Sequence, residues 1–263
     1  MTIVDAHIHL WDLSRFSLSW FRDGLDLPRV ASAADFRAVA ETRPVTAAIA
    51  VQAGDTLAEM QWLQQVAAID PVVGSVVLQY VPEREGWAGL ATAVLNDRVR
   101  GIRVATPGGA ADLSDVPGLD ALCEGAAVSG RVVELLVRPE QLDAVALVAA
   151  RHPRTTFVLC HLGLGAADPS PEWEDSLRRV AAEANTAAKF SGLATAAGAA
   201  GRLHTLAATA LDAFGADRLM FGSDWPMSAR VDGYPRLVDQ VERAWGSRSD
   251  RFWGAVVRQL YGM

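Results

Sequence analysis

The sequence predicts an α/β protein, a (β/α)8 (TIM) barrel occupying residues 1–263 as one domain, and three observations carry that prediction. Eight β-rich runs recur along the chain, the residues between them switch to a helical period, and about 250 residues is what such a barrel takes up. The runs are 3–10, 46–52, 72–80, 99–104, 131–137, 155–160, 186–191 and 218–222. Their starts lie 43, 26, 27, 32, 24, 31 and 32 residues apart, room each time for one helix and two short loops, as crossovers between parallel strands require. An open doubly wound sheet is the competing arrangement, but no glycine-rich phosphate loop follows the first run.

The helical period is clearest after Pro171, where Trp173, Leu177, Val180, Ala181 and Ala184 share one face, with Ser170 as N-cap and Pro171 in the first turn. Trp62, Leu63, Val66 and Ile69 are expected to form the buried face of an earlier helix. Leu237, Val238, Val241 and Trp245 do the same late in the chain. The long first interval leaves a loop over 11–32, carrying Trp20 and Phe21, that is expected to cap the barrel mouth.

Composition limits the partners. The chain is 51% hydrophobic and 21% charged, and 24 basic against 31 acidic residues give a net charge of −7. That field repels nucleic acid and anionic membranes. No run is long and apolar enough to cross a bilayer; the Ala/Gly-rich stretch after Gly192 is interrupted by Arg202 and His204. Cys123 and Cys160 lie in apolar surroundings and make no disulfide framework, so the chain reads as cytoplasmic. A small molecule is the expected partner, and a homo-oligomer is allowed.

Ligands of such barrels bind at the C-terminal ends of the strands, so polar residues there are the candidates for chemistry. The first run reads Asp5-Ala6-His7-Ile8-His9, and a strand's period of two puts His7 and His9 on one face, about 6.6 to 7 Å apart along the strand, able to converge on one ion. Two satisfied core histidines are the competing reading. Asp224 ends the eighth run, which in a closed barrel lies beside the first. A carboxylate there can bind a metal, hold a water and take its proton, or merely cap the following helix.

His161 ends the sixth run, whereas His152 and His204 fall in helical context and read as structural or exposed. Glu134 sits in an apolar run, where an inward charge needs a partner; a metal, Arg103 or Lys189 would serve, and an outward salt bridge is equally open. Lys189 is the chain's only lysine beside 23 arginines, and it falls on a strand. Arg103 ends the fourth run with a fork of donors suited to a carboxylate or a polyol, and is expected to grip the substrate rather than to hold the barrel together. A rim ion pair is its alternative.

In order, Val4 to Asp12, Val51-Gln52, Gly101-Ile102-Arg103, His161-Leu162-Gly163, Lys189 to Leu193 and Arg218 to Pro226 resemble the amidohydrolase superfamily, in its branch of sugar-acid and pyrone-dicarboxylate lactonases. The resemblance runs the full length. It implies a hydrolase that opens a cyclic ester with activated water, with His7, His9 and Asp224 at the superfamily's metal positions; an inward Glu134 would be a further ligand. It implies one divalent metal, zinc, or a metal-free route, because the strand-five histidine of binuclear members is replaced by Glu134 and Arg138.

In this reading Asp224 is the base and His161 steadies the oxyanion, while Arg103, Gln52, Trp11, Lys189 and Trp225 contact the substrate, with Trp11, Trp20 and Trp225 forming an aromatic wall. The branch often has Lys-Pro after His-Leu-Gly and His after Gly-Ile-Arg. Here Leu164-Gly165 and Val104 stand instead, which implies a different or less charged substrate. Non-oxidative decarboxylation, known in related carboxy-lyases, and a ligand-binding barrel without activity are the alternatives.

Overall fold

The computed structural model of the chain describes residues 2–82, 96–165, 167–193, 199–228, 233–246 and 249–263. Eight parallel strands follow one another around a single sheet: β1 (Ile3–Ile8), β2 (Val45–Val51), β3 (Val73–Gln79), β4 (Val99–Ala105), β5 (Val132–Leu136), β6 (Phe157–Leu159), β7 (Thr186–Phe190) and β8 (Leu219–Phe221). The ring closes where Ile8 bridges Trp225 in parallel, where His9 N–H donates to Trp225 O at 2.7 Å and where Asp224 N–H donates to His7 O at 2.8 Å. The fold is the (β/α)8 barrel that the spacing predicts.

Outside the ring lie α1 (Ala33–Ala40), α2 (Leu57–Ile69), α3 (Leu119–Ser129), α4 (Leu142–Arg151), α5 (Pro171–Ala182), α6 (Ala199–Phe214) and α7 (Tyr234–Trp245). Local chemistry starts several of them. Ser32 and Asp35 make a capping box for α1, Thr56 accepts from Glu59 N–H at the head of α2, and Ser170 accepts from Trp173 N–H ahead of Pro171 in α5. Trp173, Leu177, Val180 and Ala181 are buried as expected; Ala184 lies past the helix end. In α7 all four expected residues are buried.

The buried face of α2 is different from the one the periodicity suggests. Glu59, Leu63 and Ala67 point inward, Trp62 and Val66 are half-buried, and Ile69 is 84% exposed. Apolarity alone misplaces this face because the inward position at its head is filled by a carboxylate that caps the preceding loop.

The barrel interior is layered. Val4, Ala6, Ile49, Val77, Val132, Val158, Ala187 and Met220 form an apolar floor with Val256, Val257 and Tyr261 of the last helix, α8 (Val256–Tyr261). Two residues further along β5 and β7, the same inward phase delivers Glu134 and Lys189. On β1, Asp5 pairs with Ala48 and Ile8 with Ala50, so three steps on one strand match two on the other. This bulge re-aims the strand just before its histidines. No described helix is long and apolar enough to cross a membrane.

Candidate active site

His7 and His9 bring their Nε2 atoms to 3.2 Å. Asp224 Oδ1 lies 3.4 Å from His9 Nε2, 3.7 Å from His7 Nε2 and 3.9 Å from His161 Nε2. These four side chains come from the ends of β1, β6 and β8, and His9, His161 and Asp224 line a cavity of about 360 Å3 to which Ser19, Trp20, Asp55, Gln79, Arg103 and Met227 also contribute. Of the four, His7 is wholly buried and does not line the cavity.

Backbone geometry sets this cluster. Asp224 adopts φ 56°, and His161 and Leu162 adopt 53° and 54°, a region that β-branched and bulky side chains avoid. The turn at His161 is held by Trp173, whose indole N–H donates to Leu162 O at 3.0 Å. Two glycines make room. A Cβ on Gly192 would lie 2.6 Å from His161 Nδ1, and one on Gly222 would lie 2.9 Å from the Cβ of His7.

Burial alone would raise Asp224, but His161, His9 and the Ser228 hydroxyl outweigh it and hold its carboxyl below the ordinary carboxylate range. Burial lowers His161, and with the neighbouring Lys189 lowers His7 well below the usual imidazole value. His9 Nδ1 lies 2.7 Å from Val51 O, which can only accept, so its proton sits there and its Nε2 lone pair faces the cluster. His7 Nδ1 faces the Lys189 ammonium at 3.4 Å and accepts from it, which leaves the His7 proton on Nε2, directed at His9.

Ligand bonds of about 2.0–2.2 Å arranged tetrahedrally put donor atoms roughly 3.3–3.6 Å apart. The His7–His9–Asp224 triangle, with sides of 3.2, 3.4 and 3.7 Å, fits one such ion. An ion on His7 Nε2 would require the ring proton on Nδ1, facing Lys189 Nζ, where the present contact has Nδ1 accepting.

The other expected residues fall into two groups. Arg103 lines the cavity and also ties strands together: Nη2 donates to Gln52 O at 2.5 Å and Nε to Gln79 Oε1 at 3.1 Å. The expectation that it does not hold the barrel together is therefore corrected; its fork braces β2 and β3. Gln52 stands behind it, fully buried, its side chain bonded to Gln79 N, Thr56 O and Glu59 Oε2. Trp11 is fully buried and donates to Pro28 O, and Trp225 packs on Phe36; Trp20 is the tryptophan that lines the cavity, anchored through its N–H on Ala53 O. Ser19 and Trp20 bring the first loop into the lining of the cavity.

Lys189 and Glu134 both face inward, below the histidines. Lys189 Nζ lies 2.5 Å from Glu134 Oε1, which also accepts from Tyr261 Oη at 2.6 Å, while Glu134 Oε2 accepts from Cys160 Sγ at 3.4 Å; all four side chains are buried. Of the partners open to Glu134 from the sequence, the structure selects Lys189. His152 pairs with Asp120 and His204 meets Ala244 O, both away from the cavity.

Sequence reasoning missed Ser191, which meets His161 Nδ1 at 2.8 Å, and Glu59, whose carboxylate gathers Ala53 and Gly54 N–H beside the cavity. A carboxylate three residues beyond Thr56 was the available signal for Glu59, since it sits where a helix-start motif places an acid.

A (β/α)8 barrel with a histidine–carboxylate cluster at its C-terminal mouth has the makings of a hydrolytic site. The Amidohydrolase family model matches residues 4–247, and the chain belongs to that family. It is 29% identical over 247 residues to an L-fucono-1,5-lactonase of Burkholderia ambifaria, covering 88% of this chain and 82% of the relative. It is 28% identical over 293 residues to an L-fucono-1,5-lactonase of Burkholderia multivorans, covering 99% and 96%. An amidohydrolase of Burkholderia multivorans with bound zinc superposes with a TM-score of 0.89 at 26% identity over all of both chains.

Proposed function

We propose that this chain hydrolyses a 1,5-lactone of a sugar acid, with Asp224 as the base. The observation that carries the reading is the Asp224 carboxylate lining the cavity, its Oδ1 3.4, 3.7 and 3.9 Å from the Nε2 atoms of His9, His7 and His161. The two lactonases similar over most of this chain supply the substrate class.

Water beside Asp224 gives its proton to Oδ1 as its oxygen bonds to the lactone carbonyl carbon. Ser191 Oγ–H donates to His161 Nδ1, leaving Nε2–H of His161 to steady the oxyanion. Collapse breaks the bond from the carbonyl carbon to the ring oxygen, and Asp224 returns its proton to that oxygen. Arg103, with N–H groups left over from Gln52 and Gln79, holds a hydroxyl or the carbonyl oxygen, and the Trp20 indole offers a face to the sugar ring. A divalent ion held by His7, His9 and Asp224 would supply Lewis acidity. Both cysteines are free and buried, which supports a reducing compartment such as the cytoplasm.

The test is a panel of aldono-1,5-lactones and aromatic acids, read by acid release and by CO2 release. Stereoselective acid release above the spontaneous rate is the expected result. CO2 release from an aromatic acid, with every lactone inert, overturns it.

A further inference from the structure

Below the candidate ion site lies a second convergence of ligand types. One donor atom each from His7, Glu134 and Cys160 lies within 4.8 Å of the others, all three residues buried in the barrel interior. A carboxylate, an imidazole and a thiol at this spacing are what a second transition-metal ion would need, and His7 belongs to both groups. Among the described residues these are the two such groups.

The lower position already holds a positive charge. Lys189 reaches in from β7 with Nζ 2.5 Å from Glu134 Oε1 and 3.4 Å from His7 Nδ1, and 5.6 Å from the ring centroid of Tyr261. Both members of this ion pair are fully buried. An ammonium is a compact point charge on a flexible stem, so it fills a cation-sized space that the planar guanidinium of the chain's 23 arginines would not.

We propose that the Lys189 ammonium stands in place of a second metal ion, satisfying Glu134 and His7 and restricting this barrel to one ion at most. Lys189 is thus a positioning residue. It neutralises Glu134 and holds His7 Nδ1, while the Cys160 thiol donates to Glu134 Oε2. The ion count is independent of which ester the enzyme opens, so this inference and the lactonase reading fail separately.

The experiment counts ions. Purified parent and Lys189→Ala are dialysed against cobalt(II) or zinc(II), measured by elemental analysis, and the cobalt forms are read for a near-ultraviolet sulfur-to-cobalt charge-transfer band. The parent is expected to hold at most one ion and to lack the band. Lys189→Ala is expected to hold one ion more, to show the band, to lose it in Lys189→Ala/Cys160→Ser, and to gain thermal stability from added metal. Lys189→Met/Glu134→Gln, which leaves no buried charge behind, is expected to fold and to gain no ion. Two ions in the parent, no additional ion in Lys189→Ala, or a band that survives loss of Cys160 overturns the proposal. So does a Lys189→Ala chain that stays unfolded at every metal concentration, because an ion in Lys189's place would restore the missing charge.

Discussion

The side chain of Asp5 accepts the backbone N–H of Ser223 at 2.9 Å, joining the first strand to the turn after the eighth. The same oxygen takes His7 N–H at 3.0 Å, and the other takes Tyr234 Oη at 3.1 Å. Burial pushes the Asp5 carboxyl up to about 6 despite these donors. One carboxyl thus stabilises the β1 bulge, closes the ring and sets the separation of His7 from Asp224.

Asp224→Asn is expected to fold normally and to lose about 10²- to 10⁴-fold in kcat, because the amide keeps the shape and the Ser228 contact but cannot take the water's proton. Lactone hydrolysis followed by acid release checks this. Activity within a few-fold of the parent removes Asp224 from the role of base.

Arg103→Met is expected to act on stability and binding together. Its two charge-assisted hydrogen bonds brace Gln52 O and Gln79 Oε1, and losing such bonds costs about 1.5–3 kcal/mol each. The melting temperature should fall while KM rises. An unchanged melting temperature contradicts the bracing, and an unchanged KM contradicts the contact with substrate.

Gly192→Ala places a methyl group against the His161 ring on a backbone with φ of +65°. The strain costs about 1–3 kcal/mol, and relief by turning the ring breaks the His161–Ser191 contact. A kcat loss larger than the change in KM is expected, since the displaced group acts on the oxyanion. Steady-state kinetics with full activity would show that the ring need not stand where it does.

Glu59 supplies a pH test. Burial raises its carboxyl from 4.5 to about 7, outweighing the N–H groups of Ala53 and Gly54. A carboxyl raised on folding contributes stability that is fully present below its unfolded value and declines as pH rises from 4.5 through 7, by on the order of 3 kcal/mol. Denaturant unfolding across that range should show the decline in the parent and a flatter profile in Glu59→Gln. Equal slopes would assign the pH dependence elsewhere.

His7, His9 and Asp224 were legible in the sequence because each depends on a short-range rule, a period of two or a strand end, plus one topological fact, that strand eight adjoins strand one. Lys189 and Glu134 were half legible. A charge in an apolar run demands a partner, but β5 and β7 are not neighbours in the sheet, and no local rule pairs them across the barrel interior. Tyr261 and Ser191 carried no signal, since a hydroxyl becomes part of a site only when packing brings it to one. Glu59 defeated the periodicity for a related reason: the loop N–H groups it gathers compensate a burial that hydropathy counts as unfavourable.

Because the ring closes between its first and last strands, the cluster at the mouth is assembled from opposite reaches of the chain. During synthesis His7 and His9 leave the ribosome first, and at ~5–20 residues per second on the order of ten to forty seconds pass before Asp224 is made. Through that interval Asp5 has no Ser223 to receive, and β1 is an unpaired edge on one side. A growing chain therefore carries the imidazoles without the base, and an arrested one should show no hydrolysis however much of the barrel has already formed.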